Sequence, residues 1–327
     1  MSIVIQKFGG TSLRNLSNQS EFLKLVKKEV QFGSKLVVVV SAMGRNGDPY
    51  ATDTLISQLE NISNEINPKK KDLIMSVGET ISAAIVSHLL ESEGLSSEAL
   101  TGFQAGIITD DTFNSGKIMK INPNKIQGYL NKNKIVVVAG FQGATKDLDI
   151  TTLGRGGSDT TAVALGGSLN AERVDIFTDV PGVAVTDPRI VPYARYIKNI
   201  SYDDMYRLAI NGANVIHPHA VLLGKQYNIP IRILSTFMDD TGTLISNDKS
   251  NLRIIGFGIK KQEDNSIISF LFSSDYEDEI KKELDRFLLD EKKHLINIEY
   301  FNDKASIVVK NEELSEFSQR LYANFIQ

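Results

Sequence analysis

Short apolar runs and amphipathic stretches alternate along the first three quarters of the chain. The runs lie at residues 3–5, 36–40, 107–108, 135–139, 174–177 and 231–233, and the run at 36–40 is apolar on both faces, as in a central strand of a parallel sheet. Between them, apolar residues at helical spacing predict helices at residues 17–30, 54–66, 73–90, 203–210 and 219–227. The pattern therefore predicts an α/β fold in which helices sandwich a mostly parallel central sheet.

The last quarter of the chain has a different pattern. A polar stretch without periodicity, residues 247–251, separates it from the rest. The elements predicted after this stretch are strands at 254–259 and 267–272, a helix at 278–289, strands at 296–301 and 305–309, and a helix at 312–325. We therefore predict a first domain over residues 1–246 and a small C-terminal α+β module over residues 252–327.

The composition excludes several classes of function. The chain has 327 residues and a net charge of −4, so nothing favours a nucleic-acid partner. It has no cysteine, which excludes disulfides, thiolate catalysis and zinc–thiolate sites. Its four histidines, which include His217 and His219, form no metal-binding pattern, so no metal-ligating residue is predicted. No apolar run approaches the roughly 20 residues of a membrane span, and the N-terminus resembles a strand rather than a signal peptide. We expect a cytoplasmic protein without a membrane partner.

A glycine-rich stretch at residues 151–161 carries the strongest chemical signal, TTLGRGGSDTT, and a helical pattern follows it up to residue 169. Glycines allow positive φ and close approach of the backbone to a ligand, and the N-terminus of a helix favours an anion. Arg155 offers a planar fork to a carboxylate or phosphate, and Asp159 lies four residues later. The alternative is an ordinary turn capped by Ser158, which the charges inside the turn make less attractive.

Other predicted strands also end in turns, where open α/β sheets bind their ligands. Lys7 precedes Gly9 and Gly10, an order that excludes a Walker A loop but allows the lysine to reach a phosphate; a solvated lysine is the alternative. Ser41 follows the second predicted strand. Glu79 lies among small and apolar residues of a predicted helix, where it either faces solvent or meets a ligand ammonium.

These turns hold cations and carboxylates but no Ser/His/Asp or Cys/His set. The charged residues are Lys7, Glu79, Arg155, Asp159 and Asp179. Phosphoryl transfer fits this set because it depends on positioning and charge neutralisation. A carboxylate acceptor would need no general base, because its reference pKa of about 4 leaves it ionised at neutral pH. Mg²⁺ would arrive with the nucleotide and be held largely by phosphates and water.

Two motifs together resemble the aspartokinases, which belong to the amino acid kinase family: residues 7–12, KFGGTS, and residues 152–159, TLGRGGSD. Further matches in the same order lie at residues 77–82, 139–143, 178–182 and 186–189. The resemblance covers residues 1 to about 246, and the loop at 41–55 looks most like the diaminopimelate-sensitive aspartokinase of bacilli. It implies the amino acid kinase fold and the reaction of ATP with L-aspartate to give 4-phospho-L-aspartate and ADP. That reaction is the first step towards lysine, threonine, methionine and diaminopimelate.

The resemblance also implies roles for individual residues. Lys7 would contact the transferring phosphoryl group, and Asp159 would orient Lys7 and the metal-bound phosphates. Arg155 would pair with the α-carboxylate of aspartate, and Glu79 with its ammonium. The substrate site would be completed by Ser41, Thr52, Gly156, Gly157 and Ser158. The nucleotide would lie along Lys7, Phe8, Gly9, Gly10, Thr178, Asp179 and Arg189.

The sequence departs from the aspartokinase pattern at three places. Asn214 stands where the family usually has a lysine that contacts the nucleotide, so we expect weaker use of ATP rather than inactivity. Ala184 replaces a frequent tyrosine near the adenine. The C-terminal module resembles one ACT-like module where aspartokinases normally have two, so we expect weak or altered feedback inhibition. An exposed sheet edge in such a module predicts a homodimer.

Two other interpretations remain open. The chain could phosphorylate another carboxylate, such as glutamate or acetylglutamate, although an acetylated amine would have no use for Glu79. It could also be a non-catalytic paralogue that binds ligands and regulates an active aspartokinase in mixed oligomers. Asn214 and the short C-terminal module support that interpretation, whereas Lys7, Arg155 and Asp159 argue against it.

Overall fold

The computed structural model describes residues 1–291 and 294–326. Its strands are β1 Ile3–Phe8, β2 Lys35–Val40, β3 Ser97–Leu100, β4 Ile107–Thr109, β5 Ile118–Ile121, β6 Ile135–Ala139, β7 Gln142–Ala144, β8 Ile150–Thr152, β9 Arg173–Thr178, β10 Asn199–Ser201, β11 Ile231–Ser235, β12 Thr243–Ser246, β13 Ile254–Lys261, β14 Asn265–Phe272, β15 Leu295–Tyr300 and β16 Lys304–Lys310. Its α-helices are α1 Leu16–Gln31, α2 Thr52–Glu60, α3 Pro68–Ser92, α4 Asn124–Leu130, α5 Gly157–Ser168, α6 Tyr202–Ile210, α7 Pro218–Tyr227, α8 Glu277–Asp290 and α9 Leu314–Phe325.

An eight-stranded sheet forms the centre of the first domain, in the order β10-β12-β11-β9-β1-β2-β6-β3. Its neighbouring strands are parallel except for the pair β11 and β12. Alternate residues of β2 belong to two different apolar cores, Val37 and Val39 to one and Val38 and Val40 to the other. Because each face of the sheet is covered by helices, the predicted α/β sandwich is confirmed.

The register of the central strands brings four loops to one edge of the sheet. Phe8 pairs with both Val40 and Phe177, and Val40 pairs with Ala139. The loops that follow β1, β2, β6 and β9 therefore begin side by side, as expected for the ligand-binding edge of a parallel sheet.

The apolar pattern did not predict the shortest elements. Strands β4, β5, β7 and β8 form a second, four-stranded sheet in the order β5-β4-β7-β8, of which only β4 was predicted. The helix predicted for residues 54–66 ends at Glu60, and beyond it Ile62 is 83% exposed and has no core to contact. The end of β8 leads directly into the glycine-rich stretch, so this small sheet positions the strongest motif of the sequence.

Helix α3 is long and apolar, although the sequence contains no unbroken apolar run of membrane-spanning length. It has 25 residues, and an 18-residue window reaches a mean hydropathy of 1.6, so by length and composition alone it could cross a membrane. Half of that window is buried inside the protein, and Ala83, Val86 and Leu90 pack against the sheet. A core helix of a globular protein has the same properties, so this helix is weak evidence for a membrane span.

The C-terminal module is a four-stranded antiparallel sheet in the order β13-β14-β16-β15, covered by α8 and α9. Strand β13 lies against the first domain, where the N–H of Phe257 donates to the carbonyl of Val185 at 2.8 Å. A Cβ on Gly256 would lie 2.2 Å from the same carbonyl, so the two parts approach closely here. The apolar core runs on from Val183 and Val185 into the module, and the boundary near residues 247–251 stays a prediction.

Candidate active site

Two cavities open at the edge of the sheet where the four loops meet. The first, which we call the Arg155 cavity, has a volume of ≈ 580 Å³ and is lined by residues that include Lys7, Ser41, Thr52, Glu79, Arg155, Gly156, Gly157, Ser158 and Asp159. The second, the Asn214 cavity, has a volume of ≈ 520 Å³ and is lined by residues that include Thr178, Asp179, Ala184, Asp187, Arg189, Asn214 and Gly258. The structure thus brings together all the predicted substrate residues in one cavity, and three of the predicted nucleotide residues in the other.

The glycine-rich stretch forms a tight turn into helix α5. Gly154 and Gly156 have φ values of +71° and +67°, which favour glycine. A Cβ on Gly156 would also lie 2.2 Å from the Cβ of His217, so no larger residue fits. Gly156 is the N-cap, and no side chain caps the helix, which excludes the predicted alternative of a turn capped by Ser158. The N–H of Gly157 donates to the carbonyl of Gly154 at 3.0 Å, whereas the N–H groups of Ser158 and Asp159 have no backbone partner among the described residues and remain available to an anion.

A buried carboxylate, Asp72, holds the strand that precedes this turn. It accepts hydrogen bonds from the backbone N–H groups of Thr152 at 3.0 Å and Asn114 at 2.9 Å, and from the Thr152 hydroxyl at 2.6 Å. Sequence reasoning missed this residue. The available signal was its position seven residues before Glu79, which places both acids on one face of an apolar helix.

Phe141 was also missed. It lines the Arg155 cavity and has φ of +66°, an uncommon conformation for a bulky side chain. Hydrogen bonds fix it on both sides, since its N–H donates to Thr161 Oγ1 at 3.1 Å and its carbonyl accepts from the N–H of Leu153 at 2.8 Å. Such strain is typical of functional sites, but it becomes visible only in three dimensions.

Lys7 and Asp159 form an ion pair at the mouth of α5. The Lys7 Nζ to Asp159 Oδ1 distance is 2.7 Å, and the side chains are 13% and 11% exposed. The pair joins the end of β1 to the first turn of α5. This is the contact that the resemblance implied, with Asp159 orienting Lys7.

Glu79 is buried, which excludes the solvent-facing alternative. Its side chain is 3% exposed, and Oε1 accepts a hydrogen bond from the N–H of Ala42 at 3.0 Å. Its Oε2 is buried and has no hydrogen-bond partner among the described residues. Burial raises the pKa of Glu79 to about 8. A cation that entered this cavity would meet a carboxylate whose charge is otherwise unsatisfied.

Arg155 is the complementary group in the same cavity. It is exposed and makes no salt bridge within the part of the chain that the structure describes. The Arg155 cavity therefore combines a free guanidinium with a buried carboxylate oxygen that lacks a partner. This arrangement suits a molecule that carries both an anionic and a cationic group.

The charged residues of the Asn214 cavity are paired with one another. Arg189 binds Asp187 through three contacts of 2.7–3.1 Å, and its guanidinium holds the pKa of Asp187 below its ordinary value. Asp179 pairs with Arg45 at 2.8 Å and accepts a hydrogen bond from the Thr178 hydroxyl at 3.3 Å.

The predicted phosphate turn has mixed outcomes. Phe8 is fully buried and stacks on Phe177 with 4.7 Å between ring centroids, so its side chain belongs to the core and offers a nucleotide only its backbone. A Cβ on Gly10 would lie 2.2 Å from the carbonyl of Ala42, so this glycine is required where two loops touch. A Cβ on Gly9 would lie 3.9 Å from Lys7 Nζ, an ordinary contact distance, so packing alone does not require glycine there.

Known proteins resemble this chain over most of its length. Residues 2–235 match the sequence profile of the amino acid kinase family. The chain belongs to the amino acid kinase family. It is 46% identical to aspartokinase 1 of Bacillus subtilis over 251 residues, which are 77% of this chain and 62% of that protein. It is also 46% identical to the aspartokinase of Geobacillus stearothermophilus over 250 residues, 76% of this chain and 60% of that protein.

The amino acid kinase fold is also found in a solved structure. Escherichia coli aspartokinase III in complex with aspartate and ADP superposes with a TM-score of 0.84 at 20% identity, covering 99% of this chain and 100% of that chain. The predicted resemblance to aspartokinases of bacilli is confirmed by these relatives. This chain matches about three fifths of the length of the curated relatives.

Proposed function

We propose that this chain transfers the γ-phosphoryl group of ATP to the side-chain carboxylate of L-aspartate, giving 4-phospho-L-aspartate and ADP. The observation that carries the proposal is the pair of Glu79 and Arg155 in one cavity. Glu79 keeps a buried oxygen without a partner, and the Arg155 guanidinium has no ion pair among the described residues. The two are complementary to the ammonium and α-carboxylate of a free α-amino acid.

The remainder of the Arg155 cavity suits an amino acid with a second carboxylate. Ser41, Thr52 and Ser158 supply polar groups, and the N-terminus of α5 supplies a positive dipole. Lys7 also lines this cavity, at the end of β1, where it is paired with Asp159. We place the side-chain carboxylate of aspartate towards Lys7, so that its oxygen faces the incoming phosphorus.

The nucleotide is assigned to the Asn214 cavity, with its phosphates towards Gly9, Gly10 and Lys7. Thr178, Asp179 and Arg189 line this cavity, and Escherichia coli aspartokinase III, which shares the fold, has been solved with aspartate and ADP. Asn214 brings no charge to the cavity, so weaker binding of ATP than in a lysine-containing homologue follows. Ala184 leaves more room beside the base than a tyrosine would.

The described residues fit a magnesium ion that enters with the nucleotide. Such an ion would be held mainly by phosphates and water. Asp159 is the carboxylate placed to meet such an ion, because it lies beside Lys7 at the first turn of α5. The ion would neutralise phosphate charge when bound.

The reaction itself needs little from the protein besides positioning. A carboxylate oxygen of aspartate attacks the γ-phosphorus, the bond to the β–γ bridging oxygen breaks, and its electron pair leaves with ADP. No proton moves, because the acceptor is already ionised at neutral pH. Lys7 and the free N–H groups of α5 stabilise the charge on the transferring group.

We further propose that the enzyme works in the cytoplasm on the pathway to lysine, threonine, methionine and diaminopimelate, and that it is a homodimer. Among the described residues, strand β15 pairs only with β16; Ile296 within this strand and Phe301 directly after it are 49% and 45% exposed. Pairing of two β15 edges would cover these groups. Light scattering after size exclusion should give twice the monomer mass of 36.1 kDa.

The deciding experiment traps the product. Purified protein is incubated with Mg-ATP, hydroxylamine and L-aspartate, L-glutamate, N-acetylglutamate or no acceptor, and hydroxamate and ADP are measured. Hydroxamate with aspartate alone is expected. Turnover with another acceptor alone would identify that acceptor, rather than aspartate, as the substrate. No turnover in folded protein that binds aspartate would favour the regulatory paralogue, and Asn214→Lys would then test whether one missing cation is the cause.

A further inference from the structure

Arg45 occupies a place that no other described residue shares. It lines both the Arg155 cavity and the Asn214 cavity. Its guanidinium lies between two strand ends, with Nη2 2.8 Å from Asp179 Oδ2 and Nε donating to Thr11 Oγ1 at 3.3 Å. Thr11 follows Gly9 and Gly10, so the guanidinium lies beside the turn assigned to the phosphates.

The backbone of Arg45 is fixed while its side chain is free to exchange partners. Its N–H donates to Asp48 Oδ2 at 2.8 Å, and its carbonyl accepts from the N–H of Asp48 at 2.8 Å. Arg14 binds the same Asp48 at 2.8 Å, and the N–H of Gly44 donates to the carbonyl of Gly10 at 3.1 Å. The side chain itself is 63% exposed, and exposed ion pairs contribute little energy, so Asp179 is easily replaced.

Two other cations near the junction, Arg189 and Lys7, are held more firmly by carboxylates than Arg45 is. Arg189 is held by three contacts to Asp187, and Lys7 is held by Asp159 in a nearly buried pair. Arg45 has one contact to a carboxylate that is 43% exposed. A guanidinium also offers a planar fork that matches two oxygens of a phosphoryl group.

We propose that Arg45 is a catalytic residue of the phosphoryl transfer, which exchanges Asp179 for the oxygens of the transferring group. The inference rests on the proposed function. A group that passes from a nucleotide in one cavity to a carboxylate in the other crosses their junction, and Arg45 is the residue common to both. As the γ-phosphorus–oxygen bond to ADP breaks and the bond to the aspartate oxygen forms, Arg45 neutralises the equatorial oxygens; it neither gives nor takes a proton.

Three variants test the proposal. Arg45→Ala should lower kcat by roughly a hundredfold, since removing one pre-organised donor to transition-state charge costs about 10²–10³. Arg45→Lys should recover part of the loss because it keeps the charge without the fork. Arg14→Gln is the matched control: it loosens the anchor at Asp48 but lines neither cavity, so kcat should stay within about threefold.

Two readouts separate catalysis from a structural role. The Kd of Arg45→Ala for ADP should stay within about twofold of wild type, because the proposed contact is to the γ-phosphoryl group, which ADP lacks. Added guanidinium at millimolar concentration should restore part of the kcat of Arg45→Ala and none of that of Arg14→Gln.

The outcomes distinguish this proposal from the proposed function. If wild-type protein forms no hydroxamate with any acceptor, both are overturned. If wild type is active and Arg45→Ala keeps its kcat within threefold, or loses ADP binding and kcat together without rescue by guanidinium, the role of Arg45 alone is overturned.

Discussion

The two cavities differ in how their charged groups are paired within the protein. In the Arg155 cavity, Arg155 and the Oε2 atom of Glu79 have no ionic partner among the described residues. In the Asn214 cavity, Arg189 and Asp179 are each bound to another residue of the chain. On the proposed function, the first cavity offers unpaired charges to a zwitterion, whereas the second offers a nucleotide charges that are already paired.

The buried acid and the surface ion pairs contribute differently to the free energy of ligand binding. Burial disfavours the ionised form of Glu79 and raises its pKa, and a ligand ammonium beside it would favour that form. Surface ion pairs such as Arg189–Asp187 cost little to form and little to break. We expect substitutions in the first cavity, and at its junction with the second, to have the larger effects.

The largest effect is expected in the Arg155 cavity, for Lys7→Met. The change removes a nearly buried cation and leaves Asp159 unpaired beside the transferring group. We expect kcat to fall by about a thousandfold, the upper range for loss of one stabilising donor. Coupled measurement of ADP release checks this, with Lys24→Met on the surface of α1 as the matched control. A loss of less than tenfold would contradict the assignment.

The next effect concerns Glu79→Gln and aspartate. A neutral amide cannot pair with an ammonium, so we expect the KM for aspartate to rise roughly tenfold to a hundredfold, with a smaller change in the KM for ATP. Steady-state kinetics at saturating ATP measures it. Equal increases in both KM values would show that Glu79 supports the loop at Ala42 rather than the substrate.

The same residue predicts a pH dependence. With a pKa of about 8, Glu79 is protonated at pH 7 before aspartate binds and ionised afterwards, so binding should release about one proton. The affinity for aspartate should rise with pH up to about 8. Calorimetry in two buffers of different ionisation enthalpy measures the proton, and Glu79→Gln should abolish its release.

Stability in the absence of aspartate should follow the opposite trend. The raised pKa means that the native protein retains a proton that the unfolded chain loses, so the free energy of unfolding falls as pH rises between about 4.5 and 8. Glu79→Gln should remove this slope. A slope unchanged in the variant would assign it to other groups.

How far the sequence predicts this molecule depends on how local each feature is. Strands β1, β2, β6 and β9 were predicted because burial on both faces leaves nearly continuous apolar runs. Strands β7 and β8 have three residues each, too few for any period. These short strands take their positions from pairing with each other and with β4, which a three-residue pattern does not reveal.

The residues of the candidate site also differ in how much their local sequence reveals. Lys7 and Arg155 stood in compact motifs whose residue types suggest anion binding. The pair of Arg45 and Asp179 joins residues 134 positions apart, and nothing in either local sequence indicates that they meet. Phe8 was expected along the nucleotide, yet its place in a buried strand directs the ring into the core against Phe177.

The smallest effect is expected from Arg189→Gln in the Asn214 cavity. The same substitution at Arg155 is its counterpart in the other cavity. Arg189 is 85% exposed and already neutralised by Asp187, so we expect the KM for ATP to rise only about twofold to fivefold, mostly because Asp187 then repels the phosphates. Adding Asp187→Asn should reverse most of that increase, which a double-mutant cycle measures. Arg155→Gln should instead raise the KM for aspartate roughly tenfold or more, because no internal partner shares its charge. If the two Arg→Gln variants had equal effects, the proposed contrast between unpaired and paired cavities would be wrong.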